Sequence, residues 1–117
     1  IFREAKNSNG AADSLRIKIA ALCQKGQYNE ARRVADEELA AFKTAGDRRG
    51  EAAMLLSLSE VAFVEDKLED ALKQAGEARE FFGAVADSKM EAMSFLVVAK
   101  VRIAEEMHRE AVRAANA

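Results

Sequence analysis

The hydrophobic residues of this chain recur three and four positions apart, the spacing that places side chains on one face of an α-helix. In the middle of the chain, one such face consists of Leu55, Leu58, Val61 and Ala62, and the next of Leu68, Ala71, Leu72, Ala75, Ala78 and Phe82. A polar break at residues 65–67 separates the two faces. No segment alternates apolar and polar residues for long enough to predict a strand. Proline is absent and alanine occurs 25 times, which also favours helix. The pattern therefore predicts an all-α fold.

The same residue types return every forty residues along the chain. The aligned positions are Phe2, Phe42 and Phe82; Asn7, Asp47 and Asp87; Gly10 and Gly50; Ala12, Ala52 and Ala92; Leu15, Leu55 and Phe95; Ala31, Ala71 and Ala111; and Ala35, Ala75 and Ala115. Several columns share one period, so we interpret the chain as an array of similar units that bury their apolar faces by stacking.

Each period contains two helical stretches, so we expect an α-solenoid of antiparallel helix pairs. The boundaries place the tail of one repeat at 1–6 and further repeats at about 8–46, 48–86 and 88–117. This organisation predicts six main helices and a short leading one. The expected breaks lie near residues 7–10, 25–28, 46–49, 65–68, 86–89 and 106–108.

Residues suited to helix ends support these boundaries. Gly46 can adopt the left-handed conformation that ends a helix, and Asp47 can accept hydrogen bonds from the first amides of the next one. Ser88 and Glu91 have the spacing of a capping box. The alanine column at positions 31, 71 and 111 predicts close contact between the two helices of a unit, because a larger side chain would push them apart.

These features resemble the tetratricopeptide repeat family, in its variety with a repeat of roughly forty residues. The resemblance rests on the stretch GQYNEA (26–31), on Ala35 and on the stretch GDRRGEA (46–52), and it extends over the whole chain. The motif is degenerate here. The glycine and aromatic turn residues of Gly26-Gln27-Tyr28 become Asp66-Lys67-Leu68 and then Glu106-Met107-His108 in the later copies.

The resemblance implies a superhelix in which the first helix of each repeat lines a concave face that binds a partner. The candidate binding residues that follow from it are Arg16, Ala20, Gln24, Leu56, Glu60, Phe63 and Lys100. An alternative stays open, in which the apolar residues Leu56, Phe63, Leu96 and Ile103 face neighbouring helices instead. The carboxylate clamp of chaperone-tail-binding members is not expected, because only Arg16 matches one of its cations.

Charge and reactive residues argue against several other functions. The net charge of −2 disfavours a nucleic-acid binder, and no apolar run is long enough to span a membrane. Cys23 is the single cysteine and His108 the single histidine, which leaves neither a disulfide nor a cysteine zinc site. The single cysteine is compatible with a reducing compartment such as the cytoplasm. We expect neither catalysis nor a cofactor or metal, and we interpret His108 as a packing or solvated turn residue.

The sequence therefore predicts a protein-binding scaffold that takes a peptide or helix of a partner in its concave groove. An alternative is a structural or linker subunit of a large assembly, held through its ends and convex face. A regulatory domain of a larger enzyme is a third alternative. Neither end carries the polar face of a capping repeat, so we expect the array to continue into further repeats or to contact other subunits there.

Overall fold

The computed structural model describes the backbone of residues 2–116 and the side chains of residues 11–116. This part of the chain forms five α-helices and no strand. The helices are α1 (Phe2–Gln24), α2 (Tyr28–Ala45), α3 (Arg48–Val64), α4 (Leu68–Ala84) and α5 (Ser88–Asn116). The all-α prediction is confirmed. The side chains of Phe2, Asn7 and Gly10, which open three of the repeat columns, lie outside the described residues.

Four short turns separate the helices, and each contains one residue in the left-handed region. These residues are Gly26, Gly46, Asp66 and Ala86, with φ of 77°, 72°, 64° and 59°. The turns fall within one residue of the breaks predicted near 25–28, 46–49, 65–68 and 86–89, which are thereby confirmed. Glycine adopts this conformation without strain, and aspartate tolerates it. Glycine occupies two of the four positions and aspartate occupies a third.

Two predicted breaks are wrong. Helix α5 runs unbroken through residues 106–108, and α1 runs unbroken through residues 7–10, so five helices replace the expected six and a short leading one. Glu106 occupies the column of Gly26 and Asp66, and glutamate is a good helix former that rarely takes a left-handed conformation. Residues 7–10 contain no proline, so nothing there obliges the helical hydrogen bonds to stop.

Aspartate caps the start of both first helices that follow a turn between repeats. The carboxylate of Asp47 accepts a hydrogen bond from the amide of Gly50 at 3.0 Å, and that of Asp87 accepts one from the amide of Met90 at 3.2 Å. The cap of α5 is therefore Asp87, one residue before the predicted capping box at Ser88. A carboxylate at this position accepts hydrogen bonds from the free amides and also interacts favourably with the positive end of the helix dipole.

Consecutive helices pack against one another, and α3 also contacts α1 and α5. Helix α3 is consequently the centre of the molecule, and the eight consecutive residues 52–59 are all buried. The second helices α2 and α4 each bury an alanine column, at Ala31 and Ala35 and at Ala71 and Ala75. The third members of these columns, Ala111 and Ala115, are exposed on α5.

Candidate functional site

A groove between α1 and α3 forms a cavity of about 200 Å³. The cavity lies where the first helices of two successive periods run beside each other. Its lining residues are Arg16, Ile19, Ala20, Cys23 and Gln24 from α1, and Ser57, Glu60, Val61 and Val64 from α3. Most of the surface of this lining is apolar, and its polar side chains are Arg16, Gln24, Ser57 and Glu60. This combination is typical of a binding groove.

An ion pair joins the two walls of the groove. The guanidinium of Arg16 lies 3.1 Å from the carboxylate of Glu60, and the two side chains are 17% and 50% exposed. The Nε of Arg16 is buried and has no hydrogen-bond partner among the described residues. Arg16 therefore keeps one donor free, although part of its charge is balanced by Glu60.

Ser57 brings a second unpaired polar group to the groove. Its side chain is 2% exposed, and its Oγ has no hydrogen-bond partner in the part of the chain that the structure describes. The two other buried serines donate to backbone carbonyls of their own helices, Ser59 to Leu56 at 2.6 Å and Ser94 to Met90 at 3.0 Å. An unsatisfied buried hydroxyl costs about 1–3 kcal/mol. A ligand that hydrogen-bonds Ser57 would recover part of that free energy.

The thiol of Cys23 faces the same groove and is a weak nucleophile. Burial raises the pKa of Cys23, and the nearby carboxylates of Glu60 and Glu65 raise it further. Glu65 is held close by an ion pair with Arg32 of α2. A raised pKa lowers the thiolate fraction at neutral pH, and the thiolate is the reactive species. Cys23 therefore contributes apolar lining to the groove.

The structure brings together four of the seven predicted binding residues, namely Arg16, Ala20, Gln24 and Glu60. The other three lie elsewhere. Leu56 is buried in the core and offers no surface to a partner, Phe63 packs partly against the core, and Lys100 is exposed on α5 away from this cavity. For Leu56, the structure favours the alternative in which the side chain faces neighbouring helices.

The seven predicted binding residues leave out five residues that line the cavity, namely Ile19, Cys23, Ser57, Val61 and Val64. The signal for Ser57 was present, since it is a hydroxyl inside the apolar stretch 52–62, where a polar group is expected to have a specific purpose. Ile19 and Val61 carried no such signal, because each is an apolar residue at ordinary helical spacing.

A second depression of about 220 Å³ lies near the start of α3 and α5. It is lined by Ala12, Asp13, Arg49, Ala53, Phe82, Asp87, Lys89 and Met90. Arg49 and Asp87 form an ion pair across it at 3.4 Å, and Asp87 also caps α5. Since these charged groups already hold the turn between α4 and α5, this depression has a structural explanation.

The described residues hold no group of three or more histidine, cysteine, aspartate or glutamate side chains that could bind a metal ion. His108 lies exposed on α5, where its Nε2 is 3.2 Å from the carboxylate of Asp66 in the turn after α3. Its predicted place in a turn is wrong because α5 is continuous there. None of the described helices is long and apolar enough to cross a membrane.

Comparison of the chain with protein-family models, with curated proteins and with solved structures found no match.

Proposed function

We propose that the chain is a non-catalytic scaffold that binds a peptide or a helix of a partner protein in the groove between α1 and α3. The observation that carries this proposal is the unpaired Ser57 hydroxyl, buried in the wall of a mostly apolar groove. The Nε of Arg16, another lining residue, is also buried without a hydrogen-bond partner among the described residues. Apolar walls supply burial, and two donors at fixed positions select a segment with a matching acceptor.

The same proposal includes an α-solenoid architecture similar to tetratricopeptide repeats. Its support is the forty-residue register together with the contacts of α3 with α1 and α5, two positions away in helix order. In a stack of helix pairs, each first helix lies beside the first helix of the next pair, and the grooves between them form one continuous face.

A pair of matched variants tests the groove. Ala20 lines the cavity and is exposed, while Ala40 is exposed on α2 outside it. Peptides selected from a random display library on the parent chain should bind the Ala40→Arg variant equally well. They should lose about tenfold or more in affinity, or about 1.4 kcal/mol, on the Ala20→Arg variant, because the arginine fills the groove. If the selected peptides bind Ala20→Arg as they bind the parent, the groove is not the binding site.

The second candidate function is a structural or linker subunit held through its ends. The observation that favours it is apolar exposure on the outermost helices, at Ile17 of α1 and at Leu96 and Ile103 of α5. Exposed apolar patches mark association surfaces. If a natural partner's binding survives Ala20→Arg but is abolished by Ile17→Glu, the structural alternative is the better account.

A further inference from the structure

Helix α5 has a buried face and an opposite face that no part of the described chain covers. Ser94, Val97 and Val101 form the buried face. On the opposite side, Leu96, Ile103 and Met107 are 57%, 61% and 63% exposed. We call the following residues the outer stripe: Ala92, Leu96, Ala99, Ile103 and Met107.

The outer stripe exposes enough apolar area to contribute to association with another molecule. At roughly 150–200 Å² per large side chain, the exposed parts of Leu96, Ile103 and Met107 amount to on the order of 300 Å². Apolar patches of a few hundred Å² mark association surfaces on soluble proteins. This apolar area is less than half of the ~800 Å² that each partner contributes to a stable complex, which predicts a weak, reversible association rather than an obligate one.

The residues along this face follow the spacing of a coiled-coil seam. Lys89, Leu96, Ile103 and Glu110 are seven residues apart. Ala92, Ala99 and Glu106 lie three residues after the first three of them, so the apolar part of this spacing runs from Ala92 to Ile103. A seven-residue repeat with apolar residues at alternating spacings of three and four is what two helices need in order to pack along their length. Lys89 and Glu110 are both exposed and lie at the two ends of this series.

A second copy of α5 that runs in the opposite direction can place complementary side chains opposite the residues of this series. If two copies of α5 run antiparallel with their midpoint between residues 99 and 100, Leu96 faces Ile103 of the second copy. In the same register, Lys89 faces Glu110, and small Ala92 faces long Met107. At the symmetry axis, small Ala99 faces Lys100 of the second copy, whose long side chain can extend away from the contact into solvent. A parallel pair would instead place Lys89 beside Lys89 and Glu110 beside Glu110, which is repulsive.

We infer that the occupant of the outer stripe is a second copy of this chain, bound through an antiparallel pair of α5 helices. The contact is symmetric, so each dimer contains two Leu96–Ile103 contacts and two Lys89–Glu110 ion pairs. A symmetric contact of this kind closes at two copies. Arg79, whose guanidinium carbon lies 4.8 Å from the centre of the Phe95 ring, borders the contact on one side.

Sedimentation equilibrium tests the association between about 1 and about 300 μM, the range in which a weak dimer exchanges with its monomer. The parent should shift from monomer to dimer across this range. Leu96→Glu should remain monomeric with unchanged helicity, because it alters only exposed surface. Ile17→Glu is the matched control, since Ile17 is 71% exposed on α1, and it should dimerise as the parent does. A parent that stays monomeric throughout, or an association that Ile17→Glu also abolishes, overturns the proposal.

Disulfide formation between introduced cysteines tests the orientation, in a Cys23→Ser background. Chains with Lys89→Cys mixed with chains with Glu110→Cys should form a mixed disulfide dimer. Either chain alone should not form one. If Lys89→Cys chains cross-link to each other as readily as the mixture does, the helices are parallel or in contact at random, and the proposed register is wrong.

Discussion

Helices α3 and α5 occupy the same position in successive forty-residue periods, yet their surroundings differ. Helix α3 packs against α1, α2, α4 and α5, and 11 of its 17 residues are buried. Helix α5 packs on α4 and lightly on α3, and three of its 29 residues are buried. The column Ala52 and Ala92 shows the contrast at one position, since the first is buried and the second is exposed.

Whether a residue in one of the forty-residue columns is buried therefore depends on the helices around it and not on its residue type. Leu56 and Leu96 are both leucines in the same column, but Leu56 is buried and Leu96 is exposed. Helix α3 is contacted by all four other described helices, whereas α5 is contacted only by α4 and, more lightly, by α3. The same side chains are therefore enclosed on α3 and accessible to another molecule on α5.

The largest expected effect concerns the alanine column of the second helices. Ala71→Leu should lower the free energy of unfolding by about 1–3 kcal/mol, because the added atoms overpack a fully buried contact. The matched change Ala111→Leu should be close to neutral, since Ala111 is exposed. Thermal melts of the two variants make the comparison. Equal loss in both would mean that the third period packs as the second does.

The next effect concerns two helical glycines. A β-carbon at Gly50 would lie 2.3 Å from the Phe42 ring, whereas one at Gly76 would have no neighbour within 4 Å. Gly76→Ala should stabilise the protein by about 0.5–1 kcal/mol through helix propensity. Gly50→Ala should be less stable than Gly76→Ala by about 1–3 kcal/mol, because the Phe42 ring must move. Chemical denaturation measures both, and equal stabilisation by the two changes would contradict the close contact with Phe42.

A smaller effect on stability is expected at residue 106, which occupies the same position of the forty-residue period as Gly26 and Asp66. Glu106→Gly restores the residue type of Gly26, so α5 should lose helical amide shifts around residue 106 and about 1 kcal/mol of stability. Glu110→Gly carries the same propensity cost without creating a turn position. Nuclear magnetic resonance shifts of the two variants, at low protein concentration, separate the cases. If both variants keep α5 continuous, residue 106 does not decide where the helix ends.

The smallest stability effect is expected in the groove. Glu60→Ala breaks a partly exposed ion pair with Arg16, so it should change the free energy of unfolding by no more than about 1 kcal/mol. It should nevertheless lower the pKa of Cys23, because the carboxylate of Glu60 is one of the groups that raise it. The pH dependence of Cys23 alkylation measures this pKa. An unchanged or higher pKa in the variant would contradict the electrostatic effect of Glu60 on the Cys23 thiol.

Much of the fold could be predicted from the sequence because helical periodicity and turn residues are local signals. The four turns with a left-handed residue were found, since three of them carry glycine or aspartate at or beside the bend. The turn expected at 106–108 does not form. The forty-residue register predicts where a turn would lie, but the residue at position 106 decides whether a turn forms there. Glu106 favours the helix.

The candidate site was predictable only in part, for a different reason. Arg16 and Glu60 were predicted because the resemblance to tetratricopeptide repeats implied that these positions line a binding face. Leu56 was misplaced because burial depends on both neighbouring helices, which no local pattern specifies. The free hydroxyl of Ser57 is likewise a property of tertiary packing, since Ser59 two residues later is satisfied by its own helix.

Hydrogen exchange of backbone amides, at a concentration below self-association, tests most directly whether the second and third periods differ in packing as described. Amides of residues 54–62 in α3 should exchange only through global unfolding. Amides of residues 109–115 in α5 should open with a free energy at least about 2 kcal/mol smaller, because their side chains are exposed and no neighbouring helix holds them. Equal protection of the two segments would contradict the account and would mean that the end of α5 is packed as the second period is.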